Sequence, residues 1–307
     1  MVRDSRGRMY VASHVFRGET KVYNADGSFL RTITKRGGGP GEVSSGANLL
    51  VMEGDTVYVF DPGSFRVNVF GPEHQLVREL NVPLLRNFDA TQTGGQLVVA
   101  AAKTVNGIWT TLHLVTPAGV IIRSFGTPTV QLSSNAEFLL WRYVIPNRDG
   151  KSIWAAPKFG DYHFEKWSLS GKAEQLFVRQ APWFTPAGTY AVNQWRPGTP
   201  PPALIAAMRE DSLGRLWFIT GVPKGNWKSI TTANPGAGQH LTFDAWLEVI
   251  DPERAVVIAR QRLAVHALGF LGGDLYAYEE DESGVPSVRI FRLELQQPPT
   301  NPSGHRF

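Results

Sequence analysis

Apolar and polar positions along this chain fall into short runs of four to eight residues. The runs are rich in Val, Ile, Leu, Phe, Tyr and Trp and are separated by turn residues, the pattern of β-strands. Six of them look alike: Arg8–Ser13 (RMYVAS), Thr56–Asp61 (TVYVFD), Gln96–Ala101 (QLVVAA), Ser152–Ala156 (SIWAA), Arg215–Thr220 (RLWFIT) and Asp274–Tyr278 (DLYAY). Each follows a turn, respectively DSRG (4–7), EGD (53–55), TGG (93–95), NRDG (147–150), DSLG (211–214) and LGG (271–273). An Asp or Asn opening such a turn accepts hydrogen bonds from backbone amides two or three residues on, and the Gly takes the positive φ that other residues resist. A second strand, a second turn and a third strand then follow. Examples are Lys21–Asn24 with Ser28–Ile33, Arg66–Phe70 with Leu76–Leu80, Thr111–Val115 with Val120–Phe125, and His163–Trp167 with Glu174–Val178.

A unit of roughly 40 to 65 residues that occurs six times predicts radially repeated small sheets, the blades of a propeller. A pair of β-sandwiches is the alternative, but it gives no reason for six similar strand–turn–strand units. The expected fold is therefore all-β, a six-bladed β-propeller in one domain over residues 1–307, with 296–307 a polar, Pro-rich tail. Only Pro202–Glu210 and the stretch around Leu132–Trp141 are expected to hold a helical turn or two.

The units Asp4–Ala12, Val22–Ile33 and Asp211–Trp217 resemble NHL-type repeats. Lys35–Glu42 (KRGGGPGE) is similar to the Gly-rich loop after the first blade in bacterial six-bladed propellers of the NHL/TolB-like group, and Ala181–Phe184 and Pro200–Pro202 are similar to segments of that group. In an NHL-like blade the innermost strand precedes the Asp-x-x-Gly turn, whereas only Met1–Arg3 precede Asp4 here. The resemblance thus implies a chain shortened at its N-terminus, with little inner strand in blade one and a missing outer strand in blade six. It also implies an extracytoplasmic location, periplasmic or secreted, for the full-length parent.

Composition narrows the chemistry. Lysines and arginines number 31 against 27 acidic residues, a net charge of +4 that is dispersed and leaves no nucleic-acid footprint. No apolar run has the length of a membrane helix, so no membrane span is expected. Cysteine is absent, which excludes disulfide scaffolds, thiol nucleophiles and Cys-type zinc. The seven histidines are scattered without metal-ligand spacing. No nucleophile elbow, P-loop or complete dinucleotide fingerprint is present, and Gly37–Gly41 reads as a connecting loop.

No catalytic residue, metal ligand or cofactor is therefore assigned. Six-bladed lactonase-like hydrolases hold a divalent metal over the tunnel, and their resemblance points to Asn48, Asp89, Asn135 and Asp211. Streptogramin-lyase-like propellers point instead to a His/Glu pair, here His266 and Glu279. The binding signal comes from aromatics. The link Ala181–Leu204 carries Trp183, Phe184, Tyr190 and Trp195, beside Arg196, and in the repeat register it lies near Trp141, Arg142 and Tyr143. The blade-five insert Gly221–Phe243 adds Trp227. Long inserts in a repeat fold often carry function, and rings beside guanidinium groups stack on sugars, peptides or aromatic ligands. The alternative is that these rings cap the gap between two blades. Trp141, Arg142, Tyr143, Trp183, Tyr190, Trp195 and Arg196 are the candidate site. The expected function is a monomeric, non-enzymatic binding or scaffolding propeller for a protein, peptide or glycan, with a metal-dependent hydrolase or lyase as the rival.

Overall fold

The structure is a computed structural model, and it describes residues 1–12, 18–44, 46–84, 89–127, 140–185, 200–225, 242–283 and 285–296. Six antiparallel sheets surround a central axis as the blades of a β-propeller. Blade one comprises β1 (Val2–Arg3), β2 (Met9–Ala12), β3 (Thr20–Tyr23) and β4 (Phe29–Thr34), from the axis outward. Blade two follows with β5 (Asn48–Met52), β6 (Thr56–Asp61), β7 (Arg66–Phe70) and β8 (Leu76–Asn81). Blade three has β9 (Asp89–Thr93), β10 (Gln96–Val105), β11 (Ile108–Val115) and β12 (Ile121–Phe125). Blade four has β13 (Arg142–Pro146), β14 (Ser152–Pro157), β15 (His163–Ser168) and β16 (Ala173–Val178). Blade five has β17 (Leu204–Glu210), β18 (Leu216–Pro223), β19 (Phe243–Asp251) and β20 (Val256–Arg262). Blade six pairs β21 (His266–Leu271), β22 (Asp274–Glu280) and β23 (Pro286–Phe291), three strands among the described residues.

The six runs singled out by sequence are the second strands β2, β6, β10, β14, β18 and β22. The inner strands β1, β5, β9, β13, β17 and β21 start at one end of the axis, and the hairpin turns that follow them lie at the other. One expectation fails: Pro202–Glu210 is not helical, because Leu204–Glu210 is the inner strand β17 and pairs with β18 through a bulge between Ile205 and Ala207. Its Ala and Met residues favour a helix, but burial of Ile205 and Met208 against blade four overrides that local preference. The stretch 128–139, which contains most of the other suggested helical turn, lies outside the described residues.

Apolar surface is buried between blades rather than within them. Five clusters fill the successive gaps from blade one to blade six; Tyr58, Phe60, Val67, Leu97 and Val99, for instance, join blades two and three. Between blades six and one, Arg3 Nη1 reaches Asp274 Oδ2 at 3.2 Å beside a cleft of about 370 Å³ lined by Val2, Leu50, Phe270 and Gly273. Among the described residues no helix is long and apolar enough to cross a membrane.

The turn chemistry read from sequence is explicit in atoms. Asp4 Oδ1 accepts from the Arg8 amide at 2.8 Å, and its Oδ2 accepts from Arg8 Nε at 2.6 Å and Tyr10 Oη at 3.0 Å. Asp211 repeats this in blade five: Oδ1 accepts from the amides of Leu213 and Arg215 at 2.9 and 3.0 Å, and Oδ2 from Arg215 Nε and Trp217 Nε1 at 2.7 and 2.8 Å. Both turns end on glycine in the left-handed region, Gly7 at φ 81° and Gly214 at φ 79°. Each motif D-x-x-G-R-x-(Y/W) therefore folds a carboxylate back over its own hairpin. Removing that acceptor strands several donors, at about 1–3 kcal/mol for a buried unsatisfied group. We expect Asp211→Ala to lower the thermal unfolding midpoint by several degrees, while substitution of the exposed neighbour, Leu213→Ser, leaves it nearly unchanged. Differential scanning calorimetry of the two variants checks this.

Candidate functional site at the central axis

Blades three and four send polar side chains to the axis near the starts of their inner strands. Asp89 opens β9, Tyr143 is the second residue of β13, and Lys158 follows the end of β14. All three keep partial solvent exposure, as does Trp141. Asp89 Oδ2 accepts from the Val144 amide at 2.8 Å and so ties blade three to blade four. Lys158 is held from both sides through its backbone: its amide donates to the Trp141 carbonyl at 2.7 Å, and its carbonyl accepts from the Ile205 amide of blade five at 3.0 Å. Its Nζ stands 5.8 Å from the ring centres of Trp141 and Phe159 and 5.9 Å from that of Tyr143. Among the described residues this ammonium group closes no ion pair and no hydrogen bond, in contrast to Lys21, Lys35 and Lys166, which pair with carboxylates.

Tyr276 reaches the axis from β22, a second strand. Its ring lies across the inner strand at Gly269, where a Cβ would fall 2.7 Å from Tyr276 Oη. Any side chain at position 269 would push the phenol out. The Met1 nitrogen stands 3.5 Å from the same hydroxyl.

Burial sets the electrostatics of this group. It pushes the Asp89 carboxyl up to about 6, against the backbone hydrogen bonds of Val144 and Ala90 and the charge of Lys158. It pushes Lys158 down, with Asp89 opposing. It raises Tyr143, an effect the Asp89 charge reinforces, and carries Tyr276 to about 12 with help from Tyr143 and Asp89. Asp89, Tyr143 and Tyr276 thus act on one another across the axis, although they belong to blades three, four and six. The acid and the amine are both displaced toward their neutral forms, which suits proton exchange and hydrogen bonding near neutral pH.

The sequence-derived candidates divide. Trp141 and Tyr143 are at the axis. Arg142, between them, faces the other side of blade four; it is 6% exposed and its Nη1 donates to Glu165 Oε2 at 2.6 Å. Burial works against the Glu165 carboxylate, but His163, Arg142 and Trp167 together hold it at about 2. Trp183 lies between blades four and five, at 6.2 Å from Trp246 and near Tyr162 and Phe184, with the Arg260 guanidinium 4.2 Å from both tryptophan rings. Tyr190, Trp195 and Arg196 lie outside the described residues, as do Asn135 and Trp227.

Other motifs are absorbed by structure. In the Gly-rich loop the Gly39 amide donates to Glu42 Oε2 at 2.8 Å and Lys35 Nζ lies 3.3 Å from Glu42 Oε1, so the loop's own carboxylate takes the place an anion would need. Asp211 is committed to its turn. Among the described residues no three His, Cys, Asp or Glu side chains gather as a metal-binding group. Glu279 is engaged by Arg289 Nη1 at 3.1 and 3.2 Å. Sequence reading missed Lys158 and Tyr276 as axis residues. The one local signal for Lys158 was a lysine placed directly after the apolar strand SIWAAP and before Phe159.

No protein family and no curated protein matches the chain by sequence. Solved structures match it by fold. A streptogramin B lyase aligns with a TM-score of 0.51 at 12% identity, covering 90% of this chain and 88% of that one. A member of the DUF4221 family from Bacteroides vulgatus aligns with a TM-score of 0.56 at 8% identity, covering 95% and 96% of the two chains. A Bacteroides fragilis protein reaches 0.56 at 10% identity, with 91% and 80% covered. Identities this low show the propeller fold and nothing further.

A carboxyl raised on folding favours the folded state below its unfolded value, near 3.8, and progressively penalises it as pH climbs through about 6. We therefore expect Asp89→Asn, which keeps an acceptor for the Val144 amide, to stabilise the protein at pH 7–8 by about 1–3 kcal/mol and to leave stability at pH 4 unchanged. Urea unfolding of both proteins at the two pH values checks this.

Proposed function

We propose that this protein is a binding propeller whose ligand enters at the axis and presents a carboxylate to Lys158. The observation that carries the reading is the lysine itself: a cation walled by three aromatic rings, with no acidic partner in contact among the described residues. Lys158 is partly open to solvent, so a ligand carboxylate can replace water at its Nζ. A ligand carboxylate would accept from Lys158 Nζ, and the Tyr143 hydroxyl and the protonated Asp89 carboxyl supply further donors. Trp141 and Phe159 offer flat apolar walls to the rest of the ligand. An acidic sugar and the carboxyl end of a peptide share this chemistry. The NHL/TolB-like resemblance of the turn motifs and an extracytoplasmic setting are part of the same reading. The similarity of the propeller to a streptogramin B lyase leaves an enzymatic role open as the second class, but the donor set at the axis does not have the composition of a metal centre.

The test is titration with benzoate, an acidic disaccharide and a short peptide, followed by tryptophan fluorescence. At least one of these is expected to bind, and Lys158→Met to weaken it by about tenfold or more, equivalent to one charge-assisted hydrogen bond. Trp141→Phe should reduce the fluorescence change. Binding that is unaltered in Lys158→Met, or absent for every carboxylate, contradicts the reading.

A further inference from the structure

We infer that Lys158 is a carbonyl-reactive amine, and that the axis site captures an aldehyde or a 2-oxo acid as an imine on its Nζ. The inference deepens the reading of the axis as the ligand site and rests on it. Four observations support it.

The amine is uncommitted: among the described residues its Nζ makes neither an ion pair nor a hydrogen bond, and its neighbours are the rings of Trp141, Tyr143 and Phe159. Its backbone is fixed by two blades through the Trp141 carbonyl and the Ile205 amide, so the side chain starts from a defined point rather than from a loop. It is partly open to solvent at the axis, which gives a small carbonyl compound access. A carboxyl group, Asp89, lies near enough for its charge to act on the amine, and burial moves acid and amine in the directions that leave the acid able to donate and the amine able to attack.

The step balances with the groups present. The Nζ lone pair attacks the carbonyl carbon, a C–N bond forms, and the carbonyl π electrons move to oxygen, which takes a proton from Asp89. Nitrogen gives up its proton, returning Asp89 to its acid form. Asp89 then donates its proton to the carbinolamine hydroxyl, water leaves as the nitrogen lone pair closes the C=N bond, and the iminium N–H proton returns to the Asp89 carboxylate. Amine plus carbonyl yields imine plus water, with no oxidant or reductant. For a 2-oxo acid, the Tyr143 phenol, whose ring centre lies 5.9 Å from Nζ, would supply a donor for the carboxylate.

The experiment is reductive trapping. The intact protein is incubated with glyoxylate and sodium cyanoborohydride at neutral pH, and modified positions are mapped by peptide mass spectrometry. Lys158 is expected to be alkylated several-fold faster than the other lysines, since lowering an amine raises its free-base fraction. Lys158→Arg removes the nucleophile and should abolish trapping at the axis. Asp89→Asn should slow trapping at Lys158. Alkylation spread evenly over the lysines, or concentrated on the Met1 amine, overturns the inference even where benzoate still binds. Loss of benzoate binding in the parent protein, by contrast, overturns the site reading. The two failures are therefore separable.

Discussion

The ring depends on carboxylates that fold hairpins back on themselves and tie neighbouring blades together. Asp4 and Asp211 each gather amide, guanidinium and aromatic donors within one turn. The same turns then reach across the gap: the amide and hydroxyl of Ser5 both donate to Asp55, and Asn147 and the Arg148 amide both donate to Glu210. These contacts set the angle between neighbouring sheets at the turn end of the axis. With that angle fixed, the apolar faces between blades can interdigitate, and the inner strands converge at the opposite end closely enough for residues of blades three, four and six to sense one another's charge.

The architecture was legible because its determinants are local. A turn with Asp at its first position and Gly at its fourth needs only four residues to declare itself, and the strand after it only six more. The inner strand β17 was not legible. Leu204–Glu210 has helix-favouring residues, and its strand state comes from packing against blade four and pairing with β18. The axis cluster was legible only in part. Trp141 and Tyr143 stood out as aromatics, and Asp89 as a carboxylate weighed for a metal. No spacing rule links them to Lys158, or to Tyr276, which gains access to the axis through the missing side chain of Gly269. Arg142 drew attention by proximity to those rings, but strand alternation sends it to the opposite face, where its Nη1 donates to Glu165.

At the axis the fold accepts unfavourable electrostatics. A carboxyl and an ammonium group sit near each other without closing a pair, and rings surround the amine. Structural ion pairs elsewhere in the chain behave differently: Arg8 with Asp4, Arg215 with Asp211 and Arg142 with Glu165 all close at 2.6–2.7 Å. Functional sites are where such local penalties concentrate, since a preorganised polar group that lacks a partner is available to a ligand.

The central claim is that burial at the axis tunes Lys158 and Asp89 toward neutrality. The direct measurement is a pH titration by heteronuclear NMR, following the Lys158 ε-methylene and the Asp89 carboxyl carbon, with Lys158→Arg and Asp89→Asn used for assignment. The account predicts that Asp89 titrates near pH 6 and that Lys158 loses its proton at lower pH than the other lysines. An Asp89 that titrates near 3.8 together with a Lys158 indistinguishable from surface lysines would contradict it.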